Sequence, residues 1–180
     1  MMRNVLGLFL VGLFAIQTCH AQEIEYTTYY GERKGFRVDL PDEWSVGLEE
    51  STFGAGMIAF NPIDSANTFI ALIVGNTMSG WNVLARDWRK FEEKQAKKKK
   101  DPNFVVIGEG KSEYNGRKCS WLQYRDTFTF SNGESIVRRQ KHYFFTKGAK
   151  KFHFQFSSRN SEWDKMLPIY DTIIGSFVIE

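Results

Sequence analysis

Three glycine-containing residue pairs between Phe104 and Phe156 constrain this chain more than any other feature. Asn115-Gly116 and Asn132-Gly133 are pairs that a type I′ hairpin turn selects, because both central positions need positive φ, and Lys147-Gly148 is a weaker form of the same signal. They separate four segments of alternating polarity and predict an antiparallel meander. A two-residue turn at Asn132-Gly133 sets Leu122 opposite Tyr143, Phe128 opposite Val137 and Asp126 opposite Arg139. The same rule at Lys147-Gly148 sets Tyr143 against Phe152. Alternation then gathers Ile107, Leu122, Tyr124, Phe128, Val137, Tyr143, Phe145, Phe152, Phe154 and Phe156 on one apolar face, the predicted core.

In that register the second face carries Arg125, Arg138, Gln140, His142, His153 and Gln155, with Trp121 opposite Phe144 toward one end. Arg125, Arg138, His142, His153 and Trp121 are therefore the candidate binding residues. Arginine presents a planar donor fork to carboxylate or phosphate, so the face suits an acidic protein partner or an anionic small molecule. The plainer reading is a solvated polar face whose aromatic end is covered by helices. Both arginines are expected to be exposed, with no acid among them.

His142 and His153 fall directly opposite each other in this register. Two imidazoles could hold Zn²⁺ or Cu²⁺, but a closed zinc site takes four ligands and a catalytic one three; no third is evident, and neither a metal nor a cofactor is expected. Cys119 sits in a strand beside Trp121, where a free cysteine behaves as a small buried hydrophobe. The sequence contains no Gly-x-Ser-x-Gly elbow, His-Glu-x-x-His, Walker loop or Rossmann glycine pattern. Glu49-Glu50 and Glu92-Glu93 are sequence neighbours, whose side chains do not point the same way, and they read as solvated surface.

Residues 1–21 stand apart. Arg3 is a short positive region, Val5 to Ile16 is an uncharged apolar run too short to anchor stably across a bilayer, and Cys19-His20-Ala21 places small residues at −3 and −1 of a signal-peptidase site. The expectation is a cleaved export signal, a mature chain from Gln22, and a periplasmic or secreted protein. A lipid anchor at Cys19 is the disfavoured alternative, because Gln17 and Thr18 fit a lipobox poorly. Cleavage leaves Cys119 alone, so no internal disulfide can support the mature fold.

Lys plus Arg number 24 against 21 Asp plus Glu, and losing residues 1–21 removes one base and no acid. So balanced a chain has no whole-protein field for nucleic acid, and export argues against that partner independently. At 180 residues, 42% hydrophobic, the chain can fill one core, so residues 22–180 are expected to form a single domain.

Before the meander, Ile24 to Tyr30 and Phe36 to Leu40 read as strands, the second stopped by Pro41, and Asp42-Glu43-Trp44 as a turn that carries the indole back over the sheet. Ser45 to Glu50, Met57 to Asn61 and Thr68 to Val74 are further strands. From Gly80 to Lys100 the period changes. Trp81, Leu84, Ala85, Trp88 and Phe91 make the apolar stripe of an amphipathic helix, stopped by Asp101-Pro102-Asn103. After the meander, Asn160 or Ser161 is expected to cap a helical turn, Pro168 to start a second helical piece ending at Gly175, and Phe177-Val178-Ile179 to form a last strand.

Phe36-Arg37-Val38-Asp39-Leu40-Pro41-Asp42-Glu43-Trp44 resembles the strand, Pro and Trp signature near the start of PsbP-like and DcrB-like domains. Pro168 to Ile179 is similar to the helix and Ser-Phe strand that end them. The resemblance implies an α+β fold, an antiparallel β-sheet flanked by helices as an α/β/α sandwich, the alternative being helices on one side only. It also implies a non-enzymatic accessory or binding protein. The same fold occurs in a Ran GTPase-binding protein, so it fixes no partner, and no site residues carry over.

The expectation is thus an exported, non-enzymatic accessory or interaction protein of the cell envelope. A carrier of a small apolar or anionic ligand is the alternative, and an unrecognised hydrolase ranks last. A pocket lined by Trp44, Trp81 and Trp88 would favour the carrier, an exposed cationic face the interaction protein, and acids converging with a histidine in a cleft the enzyme.

Overall fold

Alternating polarity and glycine turns do produce a meander, and it forms half of a larger sheet. The computed structural model describes residues 24–31, 35–51, 54–76 and 85–180. Within them β3 (Ser45–Ser51), β4 (Gly54–Phe60), β5 (Phe69–Asn76), β6 (Val105–Tyr114), β7 (Arg117–Thr129), β8 (Ser135–Lys147) and β9 (Lys150–Arg159) form one sheet, in the order β3-β4-β5-β9-β8-β7-β6. A smaller sheet holds β1 (Tyr26–Gly31), β2 (Phe36–Pro41) and β10 (Val178–Ile179), with β2 central. All pairings in both sheets are antiparallel.

The first of the three turns forms as expected and the other two differ from expectation in an instructive way. Asn115 and Gly116 both have positive φ, 49° and 71°, and Tyr114 pairs with Arg117, as a type I′ turn requires. At the second turn only Gly133 is left-handed, at φ 86°. Phe130 N–H donates to the Glu134 carbonyl at 2.8 Å and Gly133 N–H to that of Phe130 at 3.0 Å, so Ser131-Asn132-Gly133 is a three-residue loop. The Asn132 side chain accepts from Glu134 N–H at 3.0 Å instead of supporting a I′ turn. One extra loop residue moves the β7–β8 register by one and reverses the relative facing of the two strands. Leu122 pairs with His142, Phe128 with Ile136 and Asp126 with Arg138.

The third turn is Gly148-Ala149, closed by Lys147 opposite Lys150, with Gly148 at φ 57°. Here the register moves by two, so Tyr143 meets Phe154 and facing is preserved. The predicted core row therefore splits. Tyr143, Phe145, Phe152, Phe154 and Phe156 share one face with Ile70, Leu72 and Val74 of β5. Leu122 and Tyr124 lie on the other, with His142, Phe144 and His153. Ile107 sits at a bulge between Val106 and Gly108 and is exposed.

Each face is covered by one helix. α2 (Trp163–Ser176) packs its Tyr170 on Phe156 at 4.9 Å and lies against β2, so Phe36, Val38 and Leu40 join Ile173, Ile174 and Phe177 in the main core. Trp44 joins them too, its N–H closing the predicted turn on the Pro41 carbonyl at 3.0 Å. α2 is one helix, not two pieces. Pro168 falls five residues inside it, where its missing N–H costs only a bond to exposed Asp164 in the first turn. Glu162 occupies the N-cap with no side-chain cap bond, in place of Asn160 or Ser161.

α1 (Ala85–Lys99) covers the second face, with Ala85 buried and Trp88 packed on His153 and Phe144. Trp81 and Leu84 lie outside the described residues, and Phe91 is 51% exposed, so the stripe runs out at Trp88. Lys100, at φ 53°, ends the helix. The Asp101 carboxylate then accepts from Thr127 N–H (2.7 Å), Thr127 Oγ1 (2.7 Å) and Asn103 N–H (2.9 Å), tying the helix end to β7. Burial alone would raise the Asp101 pKa, but these bonds outweigh it and hold the group below its ordinary value.

Candidate functional site

The one-residue shift at Ser131-Asn132-Gly133 distributes the five predicted binding residues over both faces of the large sheet. Arg125 and Trp121 lie on the α2 side, and Arg138, His142 and His153 lie under α1. Trp121 faces Tyr143 rather than Phe144 and rests on the backbone of β6, where a Cβ on Gly110 would stand 3.1 Å from the indole. Arg125 is half-buried and donates from Nε to the Asn103 carbonyl at 3.3 Å. The five residues thus make no common surface.

Arg138 is neither exposed nor without an acid. Its Nε and Nη2 donate to Asp126 Oδ1 and Oδ2 at 3.2 and 2.7 Å, and the two side chains are 17% and 14% exposed. Gln140 donates to the same carboxylate at 3.0 Å and accepts from Gln155 at 2.6 Å. Arg138→Ala should therefore cost about 2 kcal/mol in a urea melt, because it strands a largely buried carboxylate. A loss below about 0.5 kcal/mol, as expected of a solvated arginine, would contradict this pairing.

His142 and His153 sit diagonally on β8 and β9, joined by a 2.8 Å contact between His142 Nδ1 and His153 Nε2. Tyr124 stacks on His142 at 5.3 Å, Phe144 on His153 at 4.5 Å, and Trp88 closes over both rings. Burial pushes both pKa values down, His153 to about 3, and for His142 the neighbouring His153 and Arg138 add to it. Neutral, stacked and sealed, this pair is core. Among the described residues no group of three or more His, Cys, Asp and Glu gathers in a metal-ligating cluster. Cys119 is buried, and burial pushes its thiol up to about 11, so it is no thiolate nucleophile at neutral pH.

A different surface has the form of a site, and sequence reasoning missed it. A cleft of about 520 Å³ lies where the β2–β3 turn, the β4–β5 loop, the start of the first strand and α2 meet. Pro41, Trp44 and Ile169 line it together with Ile24, Pro62 and Ile63, while Glu25, Asp42 and Glu43 stand at its edge. Trp44 is buried beneath it, whereas Ile63 is 91% and Ile24 44% exposed.

The loop that carries Ile63 is tightly tied. Asp64 accepts from Asn67 Nδ2 at 2.5 Å and Arg159 Nε at 3.1 Å, and its carbonyl from Thr68 N–H at 2.8 Å; the Asn61 side chain accepts from Ile63 N–H at 2.8 Å. An isoleucine is thus held out in water by a loop pinned through Asp64 to Asn67, Thr68 and Arg159, although the buried Asn67 Oδ1 has no hydrogen-bond partner. The available signal was Ile63 itself, a large aliphatic residue between Pro62 and Asp64 in a run of turn-forming residues. Trp44 belongs to this cleft and Trp88 to the opposite side of the sheet, so they do not share a pocket; Trp81 lies outside the described residues.

No family model and no curated protein matches the sequence. Among solved structures, the solution structure of cyanobacterial PsbP from Synechocystis sp. PCC 6803 is similar, with a TM-score of 0.62 at 16% identity, covering 92% of this chain and 99% of that one. The Saccharomyces cerevisiae Ran-binding protein Mog1p is similar at a TM-score of 0.54 and 7% identity, covering 87% and 96% of the two chains. LpqN, involved in cell envelope biogenesis of Mycobacterium tuberculosis, has a TM-score of 0.47 at 20% identity, covering 87% and 91%. The strand order, the two helices and the first of these similarities agree with the residues around Phe36 to Trp44: the chain carries a PsbP-like fold.

Proposed function

We propose that this protein is an exported, non-enzymatic accessory or interaction protein of the cell envelope, and that it meets its partner through the Trp44–Ile63 cleft. The observation that carries the reading is Ile63, held 91% exposed beside Trp44 and Ile169 by a loop pinned through Asp64 rather than through the isoleucine. A carrier of a small molecule would enclose its ligand, and here two of the wall residues, Ile63 and Ile24, stand out into solvent. The fold accords with the reading but does not select the partner, since cyanobacterial PsbP and Ran-binding Mog1p have it in common. Export rests on the Arg3, Val5 to Ile16 and Ala21 pattern, which lies outside the described residues; among those that are described, no helix is long and apolar enough to cross a membrane.

The test is affinity capture of the tagged protein from its native envelope, with mass analysis of proteins and small molecules. Capture should yield a discrete protein in the wild type and lose it in the Ile24→Ser/Ile63→Ser double variant, while the melting temperature is unchanged because both side chains are exposed. Intact mass of the same preparation should start at Gln22 with no acyl chain. Recovery of a stoichiometric small molecule with no protein would favour the carrier, and a diacylated Cys19 would replace the secreted form by a membrane-anchored one.

A further inference from the structure

The charge around the cleft is opposite in sign to the chain as a whole. The sequence carries a formal charge of +3, yet Glu25, Asp42 and Glu43 line an edge to which no cation among the described residues contributes. All three are exposed, and among the described residues none of them is held in an ion pair, whereas Asp64 in the adjoining loop is neutralised by Arg159 at 3.1 Å. Asp42 and Glu43 are placed by the turn that Trp44 N–H closes on Pro41, and Glu25 by its carbonyl accepting from Asp42 N–H at 3.0 Å. One short backbone arrangement therefore sets three carboxylates beside the same apolar floor.

We infer that the cleft takes a cationic, apolar segment of a partner protein: a large aliphatic or aromatic side chain seated on Trp44 between Ile63 and Ile169, flanked by Lys or Arg facing Glu25, Asp42 and Glu43. This rests on the interaction reading above and adds the chemistry of the partner. Apolar area supplies the affinity, and the carboxylates supply register and selection against acidic sequences.

Three sets of synthetic twelve-residue peptides, each with a central aliphatic-aromatic triplet flanked by Lys and Arg, by Gln or by Glu, are titrated by fluorescence anisotropy against the purified protein. The cationic set should bind at least about tenfold more tightly than the Gln set, with the Glu set weakest, and about tenfold more weakly on passing from low to high salt as exposed charges are screened. Ile63→Ser should weaken binding of both the cationic and the Gln set. Glu25→Gln/Asp42→Asn/Glu43→Gln should bring the cationic set to the level of the Gln set and leave the latter unchanged. Equal binding of all three sets, failure of every set, or cationic binding insensitive to either variant would overturn the inference. If envelope capture remains sensitive to Ile24→Ser/Ile63→Ser in those cases, the interaction reading survives and only the partner's chemistry is wrong; if capture also fails, both fall.

Discussion

Phe154→Ala should remove about 3 to 5 kcal/mol of stability, read as a lower urea midpoint at unchanged m-value. The ring has no exposed surface, meets Phe177 edge-on at 4.5 Å and Phe156 in a stack at 5.7 Å, and lies opposite Leu72 on the neighbouring strand. Its neighbours are held by two sheets and a helix, so the cavity cannot collapse cheaply. The adjacent His153→Ala sharpens the comparison. Alternation alone predicts that His153 faces away from Phe154 and is dispensable, but that second face is covered by Trp88, and the substitution leaves His142 Nδ1 without its partner. A loss of about 1 to 3 kcal/mol is therefore expected there. A Phe154→Ala variant within about 1 kcal/mol of wild type would mean that α2 does not cover this face.

Stability should also fall steeply on mild acidification. The folded pKa values of His142 and His153 lie below their ordinary value of 6.5, so the unfolded chain takes up protons first as pH drops. Their contribution is complete above about pH 6.5 and is lost progressively from there down to about pH 3, where folded His153 itself titrates. By about pH 4.5 keeping His153 neutral costs on the order of 2 to 3 kcal/mol, and His142, lowered in the same direction, adds to it.

Tyr124 stacks on His142 and Arg138 acts on it, while Glu92 of α1 is hydrogen-bonded to Tyr124 and sits near Asp126 and Arg138. Burial, with Asp126 adding to it, raises the Glu92 pKa, so that group favours the folded form as pH falls and partly offsets the histidines. Asp101, held below its ordinary value of 3.8, adds to the loss only at still lower pH. Urea melts from neutral pH to about pH 4.5 should show a slope approaching two protons taken up on unfolding, flattened in His142→Gln/His153→Gln. An unchanged slope in that double variant would assign the acid lability to carboxylates instead.

The meander, the first helix and the Pro41–Trp44 turn were legible because each depends on short-range chemistry: glycine at positive φ, a three-to-four-residue apolar step, a proline that cannot donate. The facing of β7 against β8 was not. Asn132-Gly133 suits the middle of a two-residue turn and the end of a three-residue loop equally well, since both need a left-handed glycine. Polarity could not arbitrate, because Tyr143-Phe144-Phe145 is apolar on both faces and either register buries aromatic residues. That single residue decided whether Arg138 faced Asp126 or solvent, and hence whether Trp121, Arg125, Arg138, His142 and His153 shared a surface.

The Trp44–Ile63 cleft was hidden for a different reason. Ile24, Trp44, Ile63 and Ile169 are far apart in the chain and belong to a strand approach, a turn, a loop and a helix, so no periodicity links them. Only after β2, β3, β4 and α2 are assembled do they lie together. Binding surfaces built from loop tips are commonly of this kind, with the scaffold legible and the tips silent.

The most direct test of the proposed role is site-specific photo-crosslinking in living cells, with a benzophenone side chain replacing Ile63 in one strain and Phe91 in another. Both positions are exposed apolar residues, so incorporation should leave the fold intact, but Ile63 lines the cleft and Phe91 lies on α1 across the sheet. Illumination should give one discrete protein adduct at position 63 and none at position 91. Adducts at 91 with none at 63 would place the partner on the α1 face and contradict the account.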